Sequence, residues 1–296
     1  MPGPGGWKKR GGARACRYWS AEMAADKHAP RSGFAEVNGA RLFYEIAGAG
    51  PALALIHGFG LDARMWDDQF AVFAQRYRVL RYDARGFGRS AVPASEPYSH
   101  AEDLRALLEH LAIGQTALVG FSLGGGIALS FALEHPAATD ALIVAGSVLP
   151  GMRWSAELAA SFGAVWSAGR AQGVAAARER WLQHPLFAPI LGRPGPGARF
   201  TQMVSDYSGW EWTHRDPQRD PEPPPAQRLS EIRAPSLAIV GARDLPDFHA
   251  VAGMIQRGIP GARGMVVPGA GHVVSMEAPE RFNQLAIDFL SACARP

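Results

Sequence analysis

The sequence predicts an α/β protein: a mostly parallel sheet with helices on both faces, entered through an antiparallel hairpin. Three observations predict it. Short continuous apolar runs such as ALALI (52–56) and SLAIVG (236–241) have the composition of strands buried on both faces. These runs alternate with segments whose apolar residues recur at helical spacing, the pattern of parallel strands joined by crossover helices. Asn38-Gly39 lies between two strand-like runs and is a strong hairpin turn signal.

The elements follow in order. FAEVNGARLFYEIA (34–47) is two strands around the Asn38-Gly39 turn, and ALALI is the next. Trp66, Phe70, Phe73 and Tyr77 recur at helical spacing, and RVLRY (78–82) returns to strand. Ser99 and Glu102 form a capping box that opens a helix with Leu104, Leu107, Leu108 and Leu111 on one face. TALVG (116–120) is a strand, 124–134 a helix and ALIVAG (141–146) a strand. From about 149 to 226 the chain is rich in Ala, Trp and Arg, shows no clear strand, and is broken by RPGPG and DPEPPP, where prolines stop helices. The alternation then resumes with SLAIVG, a helix over 247–257, GMVV (264–267) and a last helix carrying Phe282, Leu285, Ala286, Phe289 and Leu290 on one stripe. The expected organisation is a core of residues 33–148 and 227–296 with a helical insertion at 149–226.

Bulk properties limit the function classes. The 296 residues, 47% apolar and 19% charged, have a globular composition. No stretch approaches the roughly 18 uninterrupted apolar residues of a membrane span, and the N-terminus has no apolar signal core. Only Cys16 and Cys293 are present, so a reducing cytoplasm is the expected compartment. Net charge is +3, but residues 1–32 alone hold seven Lys and Arg against Glu22 and Asp26, which leaves the remainder at −2. The basicity belongs to a tail expected to be disordered, so no nucleic-acid partner and no membrane are expected. A start at Met23, with residues 1–22 an over-extended reading frame, is one expectation for that tail.

In open parallel sheets, reacting groups collect beyond the carboxyl ends of the strands. Beyond 52–56 comes His57-Gly58-Phe59-Gly60; beyond 78–82, DARGFGRS (83–90); beyond 116–120, Ser122; beyond 236–241, Arg243 and Asp244; beyond 264–267, His272. A serine, an acid and a histidine therefore each follow a strand. GFSLG is a G-x-S-x-G turn between strand and helix, which exposes its serine in a strained backbone conformation. The bland alternative is a small residue filling a turn. Asp247, three residues after Asp244, is a second candidate for the acid; the preceding core strand, ALIVAG (141–146), runs out into Gly146-Ser147-Val148 and offers no carboxylate. His57, Asp83, Arg85 and Arg89 are expected to pin their loops, with a substrate-facing arginine the alternative. No G-K-[ST] phosphate loop and no metal-spaced histidine or cysteine cluster is present, so neither metal nor cofactor is expected.

HGFG (57–60), DARGFGRS, GFSLGG (120–125), GARD (241–244) and GAGHVVSMEAPERF (269–282) together resemble the α/β-hydrolase fold family over roughly residues 34–296. The resemblance implies the α/β-hydrolase fold, with a helical lid formed by the insertion. It implies Ser122 as nucleophile, His272 as general base and acid, Asp244 as the orienting acid, and an oxyanion hole from the backbone N–H groups of Phe59 and Leu123. HGFGLDARMWDDQF (57–70) is similar to the enol-lactone hydrolase and small-esterase branch. Val273 after the histidine, Phe59 in the oxyanion loop and serine rather than aspartate at 122 depart from the C–C hydrolase, perhydrolase and dehalogenase or epoxide hydrolase branches respectively. Five of the eight tryptophans, Trp154, Trp166, Trp181, Trp210 and Trp212, lie in the insertion and are the candidate walls of an apolar substrate pocket. The expected function is hydrolysis of a small-molecule carboxylic ester or lactone. C–C hydrolysis or perhydrolysis on the same triad, and a non-catalytic ligand receptor, are the alternatives. A narrow apolar pocket would indicate acyl esters, and a broad one with an inward arginine an acidic lactone.

Overall fold

A computed structural model describes residues 30–293, together with Met1 and Gly3. Most of the basic tail, with Cys16 and the Met23 start, lies outside the described residues. Eight strands form one sheet: β1 (Arg31–Val37), β2 (Ala40–Ala47), β3 (Ala52–Ile56), β4 (Arg78–Tyr82), β5 (Thr116–Phe121), β6 (Thr139–Ala145), β7 (Ser236–Gly241) and β8 (Arg263–Val267). Their order is β1-β2-β4-β3-β5-β6-β7-β8. The β1–β2 and β2–β4 pairs are antiparallel and every other pair is parallel. The first strand begins at Arg31, so Arg31 and Ser32 pair with Ile46 and Glu45 and do not belong to the tail assigned from sequence. Asn38 (φ 47°) and Gly39 (φ 71°) both take positive φ, the requirement of a two-residue turn that follows the strand twist.

The central strands are buried because helices cover both faces. All six residues of β5 and of β7 are buried, which explains their unbroken apolar runs. The helix Leu123–Glu134 is buried from Gly124 to Leu133, and the helices His100–His110, Pro246–Gly258 and Pro279–Cys293 each bury one stripe. Leu104, Leu107 and Leu108 are buried as their spacing predicts. Two local expectations need correction. Ser99 Oγ accepts the Glu102 N–H, but the Glu102 carboxylate pairs with His135 instead of closing the capping box. The periodic run from Trp66 breaks in two: Asp62 accepts the Arg64 N–H and opens a 3₁₀ turn at Ala63–Trp66, a helix follows at Asp67–Phe73, and Tyr77 lies beyond it in the turn that leads into β4.

Between β6 and β7 the chain is helical, chiefly Ala156–Gln172, Val174–Leu182 and Pro196–Asp206. This insertion sits over the carboxyl ends of the strands and is tied down around its rim. Asp247 accepts from the Ser155 N–H (2.7 Å) and Oγ (2.9 Å) at the start of the first insertion helix. Arg64 pairs with Asp206 (2.8 Å), Arg199 with Asp68, and Arg193 donates to Gly269 O (2.8 Å). A bridge between Tyr98 and Gln218 closes the far side. Among the described residues, no helix is long and apolar enough to cross a membrane.

Candidate active site

Ser122 follows β5 directly and caps the next helix with φ 51° and ψ −113°, one of three positive-φ non-glycine residues among those described. Such a conformation costs on the order of 1–3 kcal/mol and persists only where its surroundings over-determine it. They do so here: the Ser122 N–H donates to Ala145 O, while Ser122 O accepts from the N–H groups of Gly125, Gly126 and Val148. The flanking glycines are required by close approach. A Cβ on Gly120 would lie 2.2 Å from Gly124 O, across the turn as the motif suggests. A Cβ on Gly124 would instead strike Ile56 O at 2.2 Å, so this glycine lets the helix press against β3.

The loop beyond β8 brings His272 to this serine. Ser122 Oγ lies 3.2 Å from His272 Nε2, and His272 Nδ1 lies 3.0 Å from Asp244 Oδ2, at the end of β7. The second Asp244 oxygen accepts the Leu245 N–H at 2.8 Å. His272 and Asp244 are buried, and Ser122 is 9% exposed. Asp247 turns the other way, to the insertion, and makes no contact of this kind with His272. The imidazole is held between rings, with Phe248 at 4.3 Å, Phe121 at 5.0 Å and Phe187 at 6.2 Å between centroids.

The histidine loop is shaped by Glu277. Its buried carboxylate accepts the N–H groups of Gly271 (2.8 Å) and Val273 (3.0 Å), one on each side of His272. Burial raises its pKa, and the two N–H donors and Arg193 oppose that rise. On the other wall, Ala84 N–H donates to His57 Nε2, so the His57 proton sits on Nδ1 and is donated to Gly58 O at 2.8 Å. This buried histidine locks the Gly58-Phe59 turn to the loop after β4. Asp83 accepts from Ala63 N–H and Arg89 N–H, and Arg85 grips Asp103 with two nitrogens at 2.7 and 2.8 Å. These polar residues hold loops, as expected, and neither arginine faces the serine. Among the described residues, neither Phe59 N–H nor Leu123 N–H donates to a protein acceptor, and both residues line the same cavity as Ser122.

A cavity of about 160 Å³ is lined by Ser122 and His272. Every other lining side chain is apolar. Trp154, Trp166 and Trp181 line it; Trp210 and Trp212 do not. Trp212 is fully buried behind the wall, 5.0 Å from Tyr207 and 6.3 Å from Trp181 between ring centroids. Trp210 stacks on His214 at 5.2 Å in a separate surface hollow. Two residues apart on one short helix, these two side chains take opposite sides, and neither reaches the cavity. In their place are phenylalanines outside the predicted set: Phe162 and Phe187 from the insertion and Phe248 from the core. Phe248 lies in the first turn of the helix Pro246–Gly258, just after the loop that holds Asp244, but no local pattern marks its ring as a neighbour of His272. The Phe59 ring also joins the wall, 5.1 Å from Trp166 and 5.2 Å from Trp181.

This arrangement, a serine on a strained strand-to-helix turn facing a histidine and a buried acid under a helical insertion, defines a class of fold and site. A family model described as alpha/beta hydrolase fold matches residues 51–279, and the chain belongs to that family. An uncharacterized protein of Mycobacterium tuberculosis is 32% identical over 291 residues, covering 88% of this chain and 81% of its own. Among solved structures, a thermophilic esterase of Thermogutta terrifontis is 26% identical with a TM-score of 0.75, covering 90% of this chain and all of its own. An enol-lactonase of Burkholderia xenovorans LB400 is 26% identical with a TM-score of 0.72, covering 88% of this chain and all of its own.

Proposed function

We propose that this chain is a serine hydrolase that cleaves a carboxylic ester or lactone bearing a small apolar group. The observation that carries the reading is the hydrogen-bonded series Ser122–His272–Asp244 opening onto a small cavity with apolar walls. The esterase and enol-lactonase among the similar structures support the same bond class.

In this reading, Ser122 Oγ attacks the carbonyl carbon as His272 Nε2 takes its proton. Asp244 keeps the other imidazole proton on Nδ1 and stabilises the imidazolium that forms. The N–H groups of Phe59 and Leu123 receive the developing oxyanion, each worth roughly 3–4 kcal/mol of barrier. His272 then gives its proton to the leaving alkoxide, and water attacks the acyl-enzyme by the reverse route. The aromatic insertion acts as a lid that excludes water and sets the substrate. At about 160 Å³ the cavity lies below the roughly 300–1,000 Å³ typical of drug-sized ligands, which favours a short acyl or alkyl group. No arginine lines it among the described residues, which favours an uncharged ester over an acidic lactone.

The test is hydrolysis of p-nitrophenyl butyrate together with labelling by a fluorophosphonate. The parent protein turns over the ester and is labelled at Ser122, while Ser122→Ala is unlabelled and loses roughly 10⁶-fold in kcat. Absence of turnover and of labelling in the folded parent would reject the reading in favour of a ligand receptor.

A further inference from the structure

The run RPGPG (193–197) does more than end a helix. Its backbone is fixed by its own turns: Arg193 N–H donates to Ile190 O at 3.0 Å, Gly197 N–H donates to Arg193 O at 2.9 Å, and Gly195 takes φ 80°. Pro194 and Pro196 add two more fixed φ angles. From this rigid turn the Arg193 side chain leaves the insertion and reaches the loop after β8. There Nη2 donates to Gly269 O at 2.8 Å, and Nε lies 3.7 Å from Glu277 Oε2. Two more residues of the same stretch of insertion meet that loop. A Cβ on Gly271 would lie 2.5 Å from Pro189 Cγ, so Pro189 sits directly against the residue before His272. The Phe187 ring stands 6.2 Å from the imidazole between centroids.

The histidine loop needs such support. Gly269 and Gly271, two glycines within the four residues that end at His272, leave it little stiffness of its own. From the core, Arg243 N–H donates to Ala270 O at 2.8 Å, and Glu277 holds the N–H groups on either side of His272. Those two bonds are stronger when the acceptor carries charge. The Glu277 side chain is fully buried, which favours its neutral form; the two N–H donors, Arg193 and His272 favour the carboxylate. Arg193 therefore acts on the loop twice, directly through Gly269 O and indirectly by favouring the charged acceptor that flanks the histidine.

We infer that Arg193 is a positioning residue for His272: the insertion, through Arg193, holds the histidine loop in line with Ser122, so turnover requires a seated insertion. This goes beyond the esterase reading and rests on it for its kinetic readout. The Arg193 side chain is 38% exposed, which limits the size of the effect. A part-exposed ion pair and a bond to a neutral carbonyl each shift a population by a small factor, together about fivefold.

Arg193→Ala tests this, with Arg193→Lys and Arg199→Ala beside it. Rates are counted per site titrated by a fluorophosphonate, so unfolded protein does not enter. Arg193→Ala is expected to lower kcat on p-nitrophenyl butyrate about fivefold and to leave KM nearly unchanged, since Arg193 does not line the cavity. Arg193→Lys, which keeps a cation and a donor, recovers most of that kcat. Arg199→Ala breaks a different tie of the insertion, the one to Asp68, and keeps the parent's kcat. Amide hydrogen exchange over residues 269–277 reports the loop itself: it is expected to quicken about fivefold in Arg193→Ala and to stay unchanged in Arg199→Ala. An unchanged kcat, a loss that falls on KM instead, no recovery with lysine, unchanged exchange, or an equal loss in Arg199→Ala overturns the inference. If the parent does not hydrolyse p-nitrophenyl butyrate, it is the esterase reading that fails, and the exchange rates alone decide whether Arg193 holds the loop.

Discussion

Replacing Asp244 by asparagine tests the proposed chemistry at its most specific point. The carboxylate has two fixed neighbours: Oδ1 accepts the Leu245 N–H, and Oδ2 accepts from His272 Nδ1. An asparagine in the same place must offer its single oxygen to one of them. The Leu245 N–H is a donor only, so the amide oxygen is drawn to it and the NH₂ group turns to His272. The Nδ1 atom then has to accept, and the imidazole proton moves to Nε2. A histidine protonated on Nε2 cannot take the Ser122 proton. The wrong tautomer is worth about 10⁴-fold in kcat, or about 5 kcal/mol of barrier. Fold is little affected, because size and burial are kept. The control is Asp247→Asn, which weakens the link to Ser155 and leaves the imidazole tautomer alone. Initial rates on p-nitrophenyl butyrate, with thermal unfolding to check folding, decide the matter. If Asp244→Asn keeps more than a tenth of parent activity, or if Asp247→Asn loses as much, the tautomer argument is wrong.

Two other perturbations have definite expected outcomes. Glu211 is half-buried at the insertion's edge, its Oε1 out of contact with solvent, with Asp216 and the Tyr98 and Tyr207 hydroxyls nearby; burial, then Asp216, push its pKa from 4.5 up to about 8. The native state therefore holds a proton that the unfolded chain gives up, and this contribution is complete below pH 4.5 and lost as pH rises through 8. Its ceiling is about 5 kcal/mol, so the parent's melting temperature falls between pH 6 and 9, and Glu211→Gln flattens that fall; equal slopes for the two proteins would contradict it. Trp166→Ala enlarges the cavity beside the serine and makes room for about two more methylenes. At about 0.8 kcal/mol each, the kcat/KM ratio of p-nitrophenyl hexanoate to butyrate is expected to rise roughly tenfold, and an unchanged ratio would remove Trp166 from the substrate wall.

The sheet was legible because burial on both faces leaves a local mark. ALALI and SLAIVG carry no alternation, and both became central strands with the expected bounds. The Ser122, Asp244 and His272 constellation was legible because a parallel sheet gathers the ends of its strands, so residues 150 positions apart in sequence meet at 3.2 Å. The aromatic wall was harder. Trp154, Trp166 and Trp181 face the cavity and Trp210 and Trp212 do not, yet all five have the same composition context. Which side of a short helix faces inward depends on how the insertion helices cross, and that is fixed by contacts between distant segments. Phe248 and Phe187 were passed over for the same reason: their value lies in proximity to His272, which no local pattern encodes.

The segment after β7, a short loop and the first turn of the helix Pro246–Gly258, carries two carboxylates three residues apart, Asp244 toward the histidine and Asp247 toward Ser155. One short segment thus sets both the geometry beside the reacting atoms and the seat of the first insertion helix. Exchange of the insertion for that of a relative, an obvious route to new substrate range, would therefore also act on the histidine's alignment. A graft that preserves a hydroxyl and a free N–H at position 155 keeps the two functions separable; one that does not trades turnover for range from the outset.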